Sequence, residues 1–237
     1  MTIDELISKA EKGDAAAQFY LGVRYANGEG VGRDYMEAVT WWFIAANQNY
    51  AQAQHALGYC YANGQGVAKD KVEAAKWYRK AAKQHNARNQ CSRGYCYDKG
   101  LGVAKDAVEA IKWYLKAAEQ KYARAQCSLG FCYANGQGVM KDAVEAVKWY
   151  RKAAEQNYAT AQYNLGVCYY KGEGVTKDYV EAYKWFDLAS AQNIAKARQY
   201  LALTEGWMTP DQISEAQRLV REFKPIKAAK SGLSGLQ

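Results

Sequence analysis

The sequence predicts an all-α fold, a right-handed α/α superhelix (solenoid) of stacked helix–turn–helix repeats, from two observations. Along most of the 237 residues the same amino acids recur every 36 positions without slippage, and a fixed period of about 20–50 residues is typical of stacked repeats. Within each period, apolar residues follow the spacing of amphipathic helices in two segments separated by glycines. Only two prolines occur, so helices are rarely interrupted.

Four residue types mark the period most clearly. They are Gln18, Gln54, Gln90, Gln126 and Gln162; Gly22, Gly58, Gly94, Gly130 and Gly166; Asp34, Asp70, Asp106, Asp142 and Asp178; and Trp41, Trp77, Trp113, Trp149 and Trp185. The five predicted repeats span residues 15–50, 51–86, 87–122, 123–158 and 159–193. Because one such unit cannot bury its apolar face alone, stacking of neighbouring units must supply the core.

Capping segments are predicted at both ends of the array. Residues 1–14 form an N-terminal capping helix that stops at Gly13. Residues 194–224 form a degenerate repeat or C-terminal cap, whose last helix begins at Thr209 with a threonine cap, a proline and a glutamine at the third helical position. Residues 225–237 are predicted to be a flexible tail.

The second repeat shows how each unit is built. A first helix, helix A, ends at Gly64, which supplies the left-handed residue of a helix C-cap. A second helix, helix B, begins at Asp70 as N-cap, with Glu73 completing a capping-box-like pair. Gly58 costs helix A roughly 1 kcal/mol against alanine, so we expect a bulky neighbour such as the Trp77 ring to need the space. The predicted left-handed residues at the ends of helix B are Asn49, Asn157 and Asn193.

This pattern resembles the Sel1-like repeat, a relative of the tetratricopeptide repeat, over about residues 15–193. The last repeat carries it in Ala161-Gln162, Leu165-Gly166, Tyr169, Gly172-Glu173-Gly174-Val175, Asp178, Glu181-Ala182 and Trp185. The resemblance implies a non-enzymatic protein–protein interaction scaffold or adaptor. Bacterial relatives include secreted virulence factors, signalling adaptors and toxin-immunity proteins. By analogy with related solenoids, helix A is expected to line the concave face.

A partner is expected to contact helix A positions that face outward and differ between repeats. Spacings of three and four residues place positions two, five, six, nine and thirteen of each repeat on one stripe, and aromatic side chains edged by arginine are typical of protein-binding hot spots. The predicted contacts are Phe19, Val23, His55, Tyr59, Arg88, Tyr95, Arg124, Phe131 and Tyr163. The alternative interpretation is that these rings fill gaps between adjacent A helices.

The third repeat departs most from the pattern. Asn89 replaces an alanine, and Arg93 replaces the leucine of the other four repeats. We expect Arg88, Arg93 and Lys99 to form a charged centre for an acidic protein or peptide segment. Arg93 would need a partner if it were buried, or its helix would rotate to expose it. Drift in a tolerant repeat is the alternative explanation.

The sequence favours neither catalysis nor a cofactor or metal. The six cysteines are interpreted as small apolar thiols, because equivalent residues of stacked helices are about 8–10 Å apart, too far for a disulfide. The only histidines are His55 and His85. The cysteine-rich branch of the Sel1 family has been linked to penicillin binding, but its cysteine positions here are Ala82 and Asn89, and no S-x-x-K motif occurs. The six cysteines of this chain are Cys60, Cys91, Cys96, Cys127, Cys132 and Cys168.

Nucleic acid binding is the alternative class of function. The formal net charge is +8, and basic residues recur along helix B, although their recurrence with the repeat favours a solvated outer face. They are Lys76, Arg79, Lys80, Lys83, Lys112, Lys116, Lys148, Arg151 and Lys152. No stretch approaches the roughly 18 apolar residues of a membrane span. We therefore expect a cytoplasmic monomer, or a periplasmic or secreted one if a signal peptide has been removed.

Overall fold

The computed structural model describes residues 2–83 and 86–226, and these residues fold into thirteen α-helices without strands. The elements are α1 (Ile3–Glu11), α2 (Ala15–Asn27), α3 (Tyr35–Asn47), α4 (Ala51–Asn63), α5 (Lys71–Ala82), α6 (Ala87–Lys99), α7 (Ala107–Glu119), α8 (Ala123–Asn135), α9 (Ala143–Ala154), α10 (Ala159–Lys171), α11 (Tyr179–Ala191), α12 (Ala195–Glu205) and α13 (Pro210–Glu222). The A helices of the repeats are α2, α4, α6, α8 and α10, and the B helices are α3, α5, α7, α9 and α11.

The described residues divide into two compact units, one ending at Trp113 and the other beginning at Tyr114. In the first unit each helix from α1 to α6 packs against the next one along the chain. In the second unit α8 to α12 pack in the same consecutive way, and α13 packs against α11. Nearest-neighbour packing of helix pairs confirms the predicted class, an all-α stack of helix–turn–helix repeats.

Left-handed residues end the helices as the sequence predicts. Each A helix closes on a glycine with φ between 64° and 75°, and Gly64, for example, donates its N–H to the carbonyl of Cys60 at 2.7 Å. Asn49, Asn157 and Asn193, which follow B helices, have φ of 62°, 63° and 66°. These residues tolerate a backbone conformation that the Cβ of most side chains disfavours.

Helix B begins at an aspartate cap, but the predicted capping box is incomplete. The Asp70 carboxylate accepts hydrogen bonds from the N–H groups of Val72 and Glu73 at 2.8 and 3.0 Å. The Glu73 carboxylate instead accepts a bond from Lys76 Nζ at 2.8 Å. The glutamate is therefore an ion-pair partner on the helix surface and not the second half of the cap.

The glycine inside helix A makes room for a ring of helix B, as expected, but the ring is not that of the repeated tryptophan. A Cβ on Gly58 would lie 2.7 Å from the ring of Tyr78, the residue after Trp77. In the second unit Gly130 faces Tyr150 at 2.6 Å and Gly166 faces Phe186 at 2.7 Å in the same manner. The contact lets two helices of one repeat approach more closely than alanine would permit.

Buried glutamines connect the first, second, fourth and fifth repeats to the helix before each of them, a role that the 36-residue pattern alone does not reveal. Gln54 Nε2 donates to the carbonyl of Ala46, in the last turn of the preceding B helix, at 3.1 Å. Gln162 donates to Ala154 in the same way at 3.3 Å, and it accepts a bond from Gln192 Nε2 at 2.8 Å. The glutamine thereby satisfies a carbonyl that a helix end leaves without an intrahelical partner.

Two helices close the C-terminal end of the second unit. Thr209 caps α13 in a complete capping box with Gln212, as predicted. The Phe223 ring packs edge-on against Trp185, with centroids 5.6 Å apart. Ile226 donates its N–H to the carbonyl of Glu155 at 2.8 Å, so the described chain is held against the unit to its last residue. The rest of the predicted tail, residues 227–237, lies outside the described residues.

Candidate protein-binding face

Position nine of the A helices presents aromatic rings to solvent. Tyr59 is 50% exposed, Tyr95 41% and Phe131 45%. Val23, at the same position of the first repeat, is half-buried. Large exposed rings are uncommon on a chain whose other aromatic residues are mostly packed, and they are typical of interaction surfaces.

Position five is a packing position between successive repeats. The His55 ring nitrogen Nε2 lies 3.0 Å from Ser92 Oγ of the next A helix. In the second unit the Tyr163 ring packs edge-on against Tyr200, 37 residues on, at 5.9 Å between centroids. Burial raises the pKa of the Tyr163 phenol, with a smaller contribution from Tyr200. The packing interpretation therefore holds for this position.

Phe19 is a correction to the predicted stripe. It also stands at position five, and only 1% of its surface is exposed. Its ring packs against Tyr20 and Tyr50, with centroids 5.3 and 5.5 Å away. Phe19 is thus a core residue, and Tyr20 at position six is the exposed ring of the first A helix.

On α6 the stripe consists of Tyr95 and Lys99, which are exposed, and of Arg88 and Ser92, which are half-buried. At 100° per residue, the seven residues from Arg88 to Tyr95 and the eleven to Lys99 return to within about 20° of the same direction. Lys99 Nζ lies 2.9 Å from the carboxylate of Asp98 and 6.0 Å from the centre of the Tyr95 ring. This helix therefore presents an aromatic ring between two cationic side chains.

Arg93 does not join that stripe, so the charged centre predicted from Arg88, Arg93 and Lys99 does not assemble as one cluster. Arg93 occupies the leucine position and is 5% exposed. Its guanidinium lies 4.4 Å above the Tyr97 ring, and Nη2 donates to the Tyr97 hydroxyl at 2.9 Å. Within residues 2–83 and 86–226, Nε and Nη1 donate to no acceptor. Two guanidinium nitrogens without an acceptor on a buried cation destabilise this repeat.

The A helix at the start of the second unit repeats the stripe in simpler form. Arg124 and Phe131 are exposed and stand seven residues apart on α8, as Arg88 and Tyr95 do on α6. Asn135 Nδ2 donates to the carbonyl of Phe131 at 2.8 Å, and on α4 Asn63 donates to Tyr59 at the same distance. The asparagine side chains are thereby bonded to the last helical turn below the ring.

Five of the basic residues of helix B contact side chains of their own helix, and Arg151 bonds the Tyr169 hydroxyl of the next A helix. All nine are exposed. Lys112 and Lys148 donate to glutamates three residues earlier at 2.9 Å, as Lys76 does at 2.8 Å. Lys80 and Lys152 lie 4.2 and 4.0 Å above the rings of the repeated tryptophans. Such contacts favour the interpretation as a solvated outer face over one that follows a phosphate backbone.

The cysteines are buried thiols and none is in a disulfide. Burial raises the pKa of Cys60 to about 12 and of Cys96 and Cys168 to about 11. The thiolate, which is the reactive form, is therefore disfavoured at neutral pH. Across the part of the chain that the structure describes, no group of three histidine, cysteine or acidic side chains is placed to hold a metal ion. His85 lies outside that part.

The same described residues contain no helix that is both long enough and apolar enough to cross a bilayer.

Consecutive packed helices with a 36-residue period define an α-helical repeat protein. The model of the Sel1 repeat matches residues 15–50, 51–86, 90–122, 123–158 and 159–194, and the chain belongs to this family. A comparison with curated proteins gives no match.

Several solved structures are similar to this chain. A Sel1 repeat protein from Oxalobacter formigenes is 34% identical, with 92% of this chain and 88% of that chain covered and a TM-score of 0.78. A protective antigen of uropathogenic Escherichia coli strains that displays the same fold is also 34% identical, with a TM-score of 0.72. That comparison covers 94% of this chain but only 56% of the longer antigen. An immunity protein from Pseudomonas aeruginosa shares the fold at 20% identity and a TM-score of 0.58, with 92% and 87% covered.

Proposed function

We propose that this chain is a non-enzymatic scaffold or adaptor, acting as a monomer, that binds a protein partner through the exposed faces of its A helices. The observation that carries the proposal is the exposure of the rings at position nine, Tyr59, Tyr95 and Phe131. The repeat does not require an aromatic residue there, because position nine is valine in two repeats. Rings that contribute little to the core but keep their apolar surface in water fit a docking role.

The residues that recur from repeat to repeat support the same proposal. The repeated aspartates cap helices, the glutamines bond helix ends, and the glycines admit helix B rings. Each of these positions has a structural role that accounts for its recurrence. The variable positions of the stripe are the ones left for recognition, as is usual in solenoids with extended binding surfaces.

Among the similar structures, one is a protective antigen and one an immunity protein. We extend the proposal to the second of these roles, which a protein-binding chain can fulfil. The immunity role would require a toxin as partner, and the toxin would then dock on the A-helix stripe.

The proposal is tested by site-specific photocrosslinking. A benzophenone amino acid is placed at Tyr59, Tyr95 or Phe131, and as matched controls at Val72 and Met140, which are exposed apolar residues away from the A helices. After irradiation in an extract of the source organism, mass spectrometry identifies the crosslinked proteins. We expect one partner to be captured from the stripe positions and not from the controls. Capture from the control positions alone, or equally from both sets, would refute the proposed face.

A further inference from the structure

The charges of the A helices are strongly biased. The five A helices contain six cationic residues and one acidic residue, Asp98, which leaves them at +5 of the chain's formal +8. The B helices, in contrast, mix lysines with glutamates three residues earlier. Complementary charge favours an acidic partner on the A-helix side. The six cations are Arg24, Arg88, Arg93, Lys99, Arg124 and Lys171.

We infer that the partner docks an extended acidic segment with a central apolar side chain on α6. The inference rests on the proposed function and names the chemistry of its partner. Helix α6 holds three of the six cations. Arg88, Tyr95 and Lys99 lie on one side of it, so that a ring for apolar contact stands between two groups that bind carboxylates.

The spacing on α6 sets the spacing in the partner. Arg88 and Tyr95 are seven residues apart, roughly 10 Å along the helix axis, and Tyr95 and Lys99 are four apart, roughly 6 Å. An extended chain advances about 3.3 Å per residue. A segment along α6 therefore places a carboxylate about three residues from an apolar side chain, and a second carboxylate about two residues beyond it. The Lys99–Asp98 pair is exposed on the lysine side and is readily exchanged for a partner carboxylate.

Arg93 adds to the attraction from inside the repeat. No carboxylate among the described residues forms an ion pair with it, and its guanidinium is shielded from water. A buried charge is screened by salt much less than an exposed one. At roughly 12 Å from a carboxylate docked on the far side of the helix, one unit of charge strengthens binding by about 3-fold for an effective dielectric constant near 40. The arginine at a leucine position is thereby given a function that offsets its cost in stability.

The experiment is a selection of peptides from a random dodecapeptide phage library on the full chain. We expect enriched peptides to carry aspartate or glutamate at the predicted spacing around an aromatic or aliphatic residue. Selected peptides, synthesised with a fluorescent label, should bind at least 10-fold more weakly to Tyr95→Ala and to Arg88→Glu. Val72→Ser, a substitution of an exposed apolar residue off the stripe, should leave the affinity unchanged. Arg93→Leu should weaken binding about 3-fold.

The outcomes separate the inference from the proposed function. Neutral or basic peptides that are lost on Tyr95→Ala would overturn the acidic partner and leave the binding face intact. If acidic peptides bind the Tyr95→Ala and Arg88→Glu variants with unchanged affinity, the site on α6 is overturned. An unchanged affinity for Arg93→Leu, with the fold retained by circular dichroism, would remove Arg93 from recognition. No enrichment of any peptide, together with salt-dependent retention of a generic oligonucleotide, would overturn the inference in favour of nucleic acid.

Discussion

A single side chain sets the third repeat apart from its neighbours. The leucines at 21, 57, 129 and 165 are at most 1% exposed and fill the core of their repeats. Arg93 occupies the same position, and its guanidinium has only the Tyr97 hydroxyl and ring as described partners. Its sequence position identified it as irregular. Whether it turned into the core or out to solvent depended on packing, which the chain's periodicity does not encode.

Replacing this arginine should therefore stabilise the fold. We expect Arg93→Leu to raise the free energy of unfolding by about 1–3 kcal/mol, because it removes an uncompensated buried charge and restores the side chain of the other repeats. Urea denaturation would show a higher midpoint at an unchanged slope. Arg221→Leu, on the exposed surface of α13, is the control and should shift the midpoint little. A lower midpoint for Arg93→Leu would show that the guanidinium is well compensated in the folded state.

At Gly58, side-chain packing and helix propensity predict changes of opposite sign in the free energy of unfolding. Alanine should gain about 1 kcal/mol in a helix interior, but its Cβ would lie 2.7 Å from the buried Tyr78 ring. We expect overpacking to dominate, with a net loss of about 1–2 kcal/mol. Thermal or urea unfolding of Gly58→Ala measures this net loss of stability. Adding Tyr78→Leu should recover part of the loss, and Gly206→Ala, where a Cβ meets nothing closer than 3.5 Å, should not destabilise.

At the scale of helices, the sequence predicts the ends well and the contacts between elements less well. Gly64, Asp70 and Asn157 act through their own backbone conformation or neighbouring N–H groups, so local chemistry is enough to assign them. The partner of Gly58 and the bonds of Gln54 depend on how two helices meet. The candidate stripe likewise has features that the sequence predicts and features that depend on packing between helices. Its angular position on helix A followed from the helical period, but the burial of Phe19 depended on a neighbouring helix.

The glutamine contact between helices gives a prediction at this scale. Gln162 is fully buried, donates to Ala154 and Asn157, and accepts from Gln192. Leucine there would leave the carbonyl of Ala154 and the Gln192 amide without this partner. We expect Gln162→Leu to cost about 2–3 kcal/mol, measured by the urea midpoint. Gln199→Leu, an exposed change on α12, is the matched control. Equal midpoints for the two variants would show that the buried glutamine is replaceable by apolar packing.

At the scale of the whole chain, the strict period predicts that the repeat is a removable unit. In the second, third and fifth repeats the second glycine of the turn packs on the first turn of the preceding B helix. Gly66 lies against the carbonyl of Tyr35, and Gly102 against that of Lys71. Because Tyr35 and Lys71 are 36 residues apart, excising residues 51–86 would place Gly102 against Tyr35 in the same geometry.

The excised chain is therefore expected to fold. Stability in stacked repeats is close to a sum of repeat and nearest-neighbour terms, so loss of one repeat should lower the thermal midpoint while cooperative melting and helicity per residue, followed by circular dichroism, persist. Excision of residues 69–86 removes 18 residues instead, brings two A helices into sequence, and leaves α6 without the B helix whose carbonyls it bonds. That variant should aggregate or lose helicity. If both deletions behaved alike, the 36-residue period would describe the sequence but not the unit of folding.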